Sequence, residues 1–256
     1  MWPATTKLRA ARLGAALAGA ALLAAGTAGA EPCAPVSFEG RGHVVCTVDA
    51  GADLRLFLRD GEGRVWGGFP RLAQALAARG ERLVFAMNAG MYHADRRPVG
   101  LFIGEGGAEG QLVTAAGPGN FGMLPNGVFC VLADGRFLVR ESRAFAADPP
   151  ACRHASQSGP MLVIDGALHP RFLEDSTSRF VRNGVGVSAD GRQAFVVISD
   201  APVSFHEFGR LFRDALGVPQ ALYFDGNVSR LYAPGLGRAD RGRQLGPILG
   251  LVAPAG

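Results

Sequence analysis

Apolar positions along the chain fall into three kinds of run. One is an unbroken stretch, Leu13 to Ala25, that follows Lys7, Arg9 and Arg12 and precedes the small residues Ala28-Gly29-Ala30. A second kind is short and rich in Val, Ile, Leu and Phe: His43 to Val48, Leu54 to Arg59, Leu83 to Met87, Val128 to Leu132, Met161 to Ile164, Ala194 to Ile198 and Ala221 to Phe224. Runs of that length and composition read as strands. Asp134-Gly135 and Asp190-Gly191 each separate two such runs, and Asp60-Gly61 separates Leu54 to Arg59 from Val65-Trp66. Asp-Gly at such a junction predicts a hairpin, because glycine accepts the positive φ of the turn. The third kind repeats at helical spacing. Phe69 to Arg79 groups Leu72, Ala75 and Leu76 and stops at Gly80; Ser204 to Leu216 groups Phe205, Phe208, Leu211 and Phe212 and stops at Gly217. Ser204 with Glu207 three residues on predicts a capping box. Many hairpin-linked strands and only two clear helices predict an α+β fold: a mixed, largely antiparallel β-sheet core with a few helices, in a single domain.

The opening stretch does not belong to that domain. A basic start, an apolar segment too short to span a bilayer and a small-residue site define a signal peptide over 1–30, leaving residues 31–256 as the domain. No later segment is long and apolar enough to span a membrane. The expected location is periplasmic or secreted. Charge has to be read after the leader is removed. The full chain carries 26 basic and 22 acidic residues; without Lys7, Arg9 and Arg12 the balance is 23 to 22, which gives no argument for nucleic-acid binding. Lys7 is the only lysine, so the domain has neither Schiff-base lysine chemistry nor a Walker-type phosphate loop. In an exported chain the four cysteines, Cys33, Cys46, Cys130 and Cys152, read as two disulfides. Of three connectivities, Cys33–Cys46 and Cys130–Cys152 close the shortest loops, and each would stabilise by about 3 kcal/mol.

Candidate chemistry collects where apolar strands meet Gly-rich turns, since such turns let short polar side chains approach a ligand. Asn88 ends the strand before Ala89-Gly90-Met91-Tyr92-His93; it either satisfies its own turn or offers an amide to a ligand. Gln157 and Ser158 precede Gly159-Pro160, and Ser158 lacks the G-x-S-x-G setting of a nucleophile elbow. Arg182 lies in an apolar run, where its charge needs either a buried carboxylate or an anion in a site. Asp225 closes Ala221-Leu222-Tyr223-Phe224, and Gly226 then leaves room beside it. Asp225-Gly226 reads as one more hairpin or as a delivered carboxylate; Asn227 and Ser229 extend a polar cluster, which favours the second. Gly117-Pro118-Gly119-Asn120-Phe121-Gly122 matches G-x-G-x-x-G, but no helix follows, so it is no dinucleotide site. No metal-binding motif is present; a cofactor is not expected, and a divalent cation is not indicated.

These same places resemble the phosphodiester glycosidase family. The resemblance is carried by Asn88-Ala89-Gly90-Met91-Tyr92, Pro125-Asn126-Gly127-Val128-Phe129, Gln157-Ser158-Gly159-Pro160-Met161-Leu162-Val163, Arg182-Asn183-Gly184-Val185-Gly186-Val187 and Tyr223-Phe224-Asp225-Gly226, in the family's order. It implies an α+β fold whose blocks converge on one cleft, with catalytic roles for Asn88, Arg182 and Asp225. Tyr92, His93, Gln157, Ser158, Asn227 and Ser229 are then the expected substrate-binding groups. One departure stands out: the family's lysosomal member carries a run of glycines after its aspartate, whereas Asn227-Val228-Ser229 follows Gly226 here. The implied activity is an exported hydrolase cleaving a glycosidic bond to a phosphodiester or a related envelope glycan. Arg182 would meet the anion and Asp225 the anomeric centre, with Glu207, Asp200 or Asp95 as a second carboxylate. The rivals are a non-catalytic module that binds an anionic glycan and a disulfide-held structural protein. The expected partner is a carbohydrate or sugar phosphate; nothing points to a protein partner.

Overall fold

A computed structural model of the protein describes Met1 and residues 31–256; the expected signal peptide lies outside the described residues. Residues Glu31–Gly256 form one unit built from three sheets. Every strand pairing among the described residues is antiparallel, in keeping with the expected α+β class.

The largest sheet holds, in spatial order, β1 (Cys33–Phe38), β2 (Arg41–Asp49), β13 (Gln193–Ser199), β12 (Asn183–Val187), β14 (Gln220–Asp225), β10 (Met161–Ile164) and β11 (Ala167–Leu168). A second sheet runs β16 (Arg238–Ala239), β15 (Leu231–Ala233), β4 (Glu81–Asn88), β17 (Ile248–Pro254) and β3 (Leu54–Phe57). The third runs β6 (Gly107–Glu109), β5 (Phe102–Gly104), β9 (Cys152–Ser158), β7 (Gly127–Leu132) and β8 (Phe137–Glu141). Their inner faces share one core, in which Val185, Val196, Leu222 and Phe224 of the first sheet meet Phe85, Met87 and Leu249 of the second and Phe129, Val131 and Phe137 of the third. Strands covered on both faces read as near-continuous apolar runs, as Val128 to Leu132 of β7 and Ala221 to Phe224 of β14 do.

Short helices cover the outer faces. Helix α1 (Phe69–Ala77) lays Phe69, Leu72 and Leu76 on Phe57, Leu83 and Ile248. Helix α2 (Ser142–Ala147) buries Phe145 against Val128 and Cys130. Helix α3 (Phe205–Arg210) starts with the predicted capping box: Glu207 N–H donates to Ser204 Oγ at 3.1 Å, and Ser204 N–H donates to Glu207 Oε2 at 2.8 Å. Beyond Arg210 the helix widens into a π turn over Leu211–Ala215 instead of staying regular to Leu216. Phe208, Leu211 and Phe212 pack on Val45, Leu162 and Val197, each side chain contributing about 1.5–3 kcal/mol. Gly186 permits this contact, since a Cβ there would meet Phe212 at 2.7 Å and Val218 at 2.8 Å.

The Asp134-Gly135 and Asp190-Gly191 hairpins form as expected, joining β7 to β8 and β12 to β13. The Asp60 turn closes through an isolated bridge, Arg59 to Val65, with Gly63 rather than Gly61 taking the positive φ. Both disulfides pair as the short loops suggest: Cys33–Cys46 across β1 and β2, and Cys130–Cys152 across β7 and β9. Replacing Cys130 and Cys152 together by alanine should cost about 3 kcal/mol, read as a lower urea midpoint than the oxidised wild type; an unchanged midpoint would contradict that.

Candidate active site

Strands β4 and β14 end where β12 begins. Strand β14 belongs to the first sheet, and residues 226–230 then carry the chain across to β15 in the second. Asp225-Gly226 is therefore not a hairpin but a change of sheet. Asp225 Oδ1 accepts N–H bonds from Asn227 at 2.5 Å and Val228 at 3.2 Å, which shapes the turn from its own side chain. Asn183 lies opposite Asp225 in the ladder, and Asn88 reaches it from β4. Asn88 Nδ2 donates to Asn183 Oδ1 at 3.0 Å, Asn183 Nδ2 donates to Asn88 O at 2.6 Å, and Asn88 Oδ1 accepts from Arg230 N–H at 2.9 Å. Ser229 Oγ donates to Asp225 O at 2.8 Å and reaches Asn183 Oδ1 at 3.3 Å.

A cleft of about 720 Å³ opens beside this junction. Its walls are Met91, Tyr92, Arg96 and Val99 after β4, Pro118 to Phe121 from the loop before β7, Phe180 before β12, Tyr223 and Asp225 to Val228 around the end of β14, and Arg243 and Gln244 before β17. Asp225 is the one carboxylate among these lining residues and is only 9% exposed. Burial raises its pKa above the ordinary carboxylate value of 3.8, outweighing the backbone N–H groups of Asn227, Val228 and Gly226 that pull it down. The cations among the lining residues are Arg96, half-buried with Nη1 donating to Ala94 O at 2.7 Å, and the exposed Arg243. Neither has a carboxylate within ion-pair distance among the described residues, while neighbouring Arg97 pairs with Asp95 and Arg238 with Asp200 and Asp240.

The expected site residues separate into two groups. Asp225, Asn227 and Tyr92 line the cleft; Tyr92 Oη donates to Gln244 O at 3.0 Å. The others do not line it. Asn88 is fully buried, and its amide is spent on Asn183 and Arg230. Ser229 is spent within the turn. Gln157 is buried and binds Leu101, Val113 and Ser142, so it fastens a loop to the third sheet. Ser158 is buried and donates to Phe224 O at 3.0 Å, joining β9 to β14. His93 is exposed at the tip of the turn closed by Arg97. Among the carboxylates suggested as a second acid, Glu207 pairs with Arg41 and Arg179, Asp200 with Arg238 and Asp95 with Arg97, all away from the lining.

Arg182 also lies behind the wall rather than in it. It is fully buried; Nε donates to Val203 O at 2.8 Å and Nη2 to Ser178 O at 3.0 Å, leaving Nη1 without a hydrogen-bond partner. Its guanidinium lies 3.7 Å from the ring centre of Phe205 and 5.4 Å from those of Phe180 and Tyr223. Neither reading of a buried arginine holds as stated: no carboxylate meets it, and it does not face the open cleft. Backbone carbonyls and aromatic faces satisfy it instead. Tyr223, which lines the cleft beside this cation, was not singled out from the sequence. Burial holds its phenol well above the ordinary range even though Arg182 favours the phenolate. Arg96, Arg243, Asn120 and Phe180 were missed too. Three lie in loops without a pattern, and Asn120 sits in the glycine motif set aside for lack of a helix. Among the described residues no three His, Cys, Asp or Glu side chains are grouped as a metal site.

Comparison with known proteins gives the family and the fold. The phosphodiester glycosidase family's sequence model matches residues 81–250, and the chain belongs to that family. The uncharacterized protein YigE of Escherichia coli K12 is 34% identical over 182 residues, covering 71% of this chain and 70% of that protein. Two solved structures share the fold. The catalytic domain of zebrafish N-acetylglucosamine-1-phosphodiester alpha-N-acetylglucosaminidase, auto-inhibited by its pro-peptide, aligns over 86% of this chain and 81% of its own, with TM-score 0.56 and 13% identity. A Burkholderia pseudomallei protein, provisionally named as exported, aligns over 82% and 74%, with TM-score 0.54 and 13% identity. The two disulfides fit an extracellular protein. No described helix is long and apolar enough to cross a membrane.

Two stability measurements check the assignments of buried groups. Asn88→Ala leaves Arg230 N–H without its acceptor and Asn183 Oδ1 without the Asn88 Nδ2 donor, while Asn183 Nδ2 keeps the backbone carbonyl of residue 88, and should cost about 2–4 kcal/mol in urea unfolding. Asp225→Asn should do the opposite. A carboxyl whose folded pKa is raised penalises the folded state above that pKa and not below its unfolded value. The variant should therefore melt above wild type at neutral pH, with the gap closing as pH falls to 3.8; a gap that widens on acidification would refute the raised pKa.

Proposed function

We propose that the protein is an exported hydrolase that cleaves the glycosidic bond of a sugar phosphodiester or a related anionic envelope glycan, with Asp225 meeting the anomeric carbon. The observation that supports this best is a single buried carboxylate in a cleft whose other charged lining residues are two arginines without carboxylate partners among the described residues. A structural protein has no use for such a cleft. An anion-binding module loses affinity through Asp225, because its charge repels the ligand. The zebrafish relative is named for removing N-acetylglucosamine from a phosphodiester, and the shared family makes that linkage the first to try.

The chemistry suits the residues. Glycoside cleavage builds positive charge at the anomeric carbon and negative charge on the leaving oxygen. Asp225, close to the surface yet poorly solvated, meets the first. A departing phosphate monoester is already a stable anion, so it needs less proton donation than a sugar alcohol does. That accords with a cleft in which no second carboxylate lines the wall. Arg96 and Arg243 offset the leaving charge in the role first expected of Arg182. Arg182, buried beneath Phe180 and Tyr223, serves as a support for the wall. Export rests on the leader and the two disulfides, and places the reaction in the periplasm or outside the cell.

The test is release of sugar from N-acetylglucosamine-1-phosphodiesters and from envelope glycans by the purified full chain. Asp225→Asn should lower kcat by about 10²–10⁴ while leaving ligand affinity unchanged or improved. A wild-type protein that binds these compounds and never cleaves them, or an Asn variant that turns over normally, would replace the hydrolase with a binding module.

A further inference from the structure

Three large apolar side chains, among the described residues, stand strongly exposed, and Phe180 alone of them lines the cleft, at 45% exposure. Its position is fixed. Phe180 N–H donates to Val203 O at 3.2 Å, and Val203 N–H donates to Phe180 O at 2.9 Å, so the backbone is pinned on both sides. Phe180 and Tyr223 both press on Gly226, the residue after Asp225. A Cβ on Gly226 would lie 3.1 Å from Phe180 Cβ and 2.3 Å from Tyr223 Oη. Glycine there brings two aromatic side chains directly against the carboxylate's own turn. Arg182 underlies both rings.

The rest of the wall has another character. Arg96 lies 5.4 Å from the ring centre of Tyr92. Tyr92 Oη holds Gln244 O, and an Nη2 of Arg230 donates to Arg243 O, so the backbone of residues 243–244 is tied down while the Arg243 side chain stays exposed. Tyr92 lies within the fields of Arg96, Arg230 and Arg243 and also of Asp225. Asp225 thus stands where an aromatic surface meets a cationic one.

We propose that the cleft binds its substrate in one direction across Asp225, with the pyranose ring against Phe180 and Tyr223 and the phosphate between Arg96 and Arg243. This deepens the function proposed above and rests on it. An aromatic face complements the C–H face of a sugar ring, and guanidinium forks complement phosphate oxygens. With the two halves occupied, the scissile bond between ring and phosphate lies over the carboxylate. Substrates lacking an anionic group on the leaving side use only half the cleft.

The experiment titrates the full chain separately with N-acetylglucosamine and with inorganic phosphate, followed by NMR shifts, in wild type and three variants. Phe180→Ala should weaken the sugar by about tenfold, the equivalent of 1.4 kcal/mol, and leave phosphate unchanged; Phe180→Trp should restore the sugar. The Arg96→Ala/Arg243→Ala double variant should weaken phosphate by about tenfold or more and leave the sugar unchanged. Variants that weaken both probes alike, or neither, overturn the direction, as does a wild type that binds neither probe. Selective losses in a protein that hydrolyses nothing would uphold the direction and remove the hydrolase reading alone.

Discussion

The structure depends on a buried clasp between two asparagines. Asn88 ends a strand of one sheet and Asn183 begins a strand of another, and each binds the other's amide or backbone. Through Arg230 N–H and Ser229 Oγ the same pair holds both ends of the turn that presents Asp225. In a fully buried setting such bonds have no water to replace them, so the register of three chain segments is locked together. That is how an exposed turn containing a glycine keeps a carboxylate in one place. The buried asparagines form a scaffold beside the cleft, and the turn that carries Asp225 to its wall is held by them.

Charge is distributed in a way that follows from this arrangement. Most exposed arginines pair with surface carboxylates; among the described residues Arg96 and Arg243 at the cleft do not, as Arg82 and Arg153 elsewhere do not. Arg182 is buried with carbonyls and aromatic rings for company, and Asp225 is buried with backbone N–H groups. Each is solvated by fixed dipoles instead of an opposite charge. Had the two paired directly, Asp225 would be a tightly ionised structural carboxylate with a lowered pKa. Keeping them apart, with Tyr223 between, leaves the carboxylate poorly solvated and available, at a cost in stability that the three-sheet core absorbs.

Much of the fold was legible in the sequence because it is encoded locally. Asp-Gly turns mark two hairpins, Ser204 with Glu207 marks a helix start, and loop closure favours the observed cysteine pairs. The π turn after Arg210 was not legible, since nothing in Leu211–Ala215 breaks the helical period. Asp225 was legible for a mixed reason: its strand ends in a polar cluster, where the other Asp-Gly pairs return to apolar residues. The motif blocks mark strand ends that meet beside the cleft, but Asn88, Gln157 and Ser158 do not line it, because short polar groups at strand ends read alike whether they face a ligand or another strand.

The sequence by itself determined the α+β class, the two disulfides and the family, and it singled out Asp225, the carboxylate that lines the cleft, because these follow from periodicity, loop closure, motif order and the polar cluster that ends its strand. Tertiary structure decided which polar groups are spent inside and which remain free. Arg96, Phe180 and Arg243 come from three separate loops, and their shared wall exists only once the sheets have packed. Whether an arginine is buried on an aromatic ring or left open to an anion is a matter of what lies across from it in space, and that information is not carried by its neighbours along the chain.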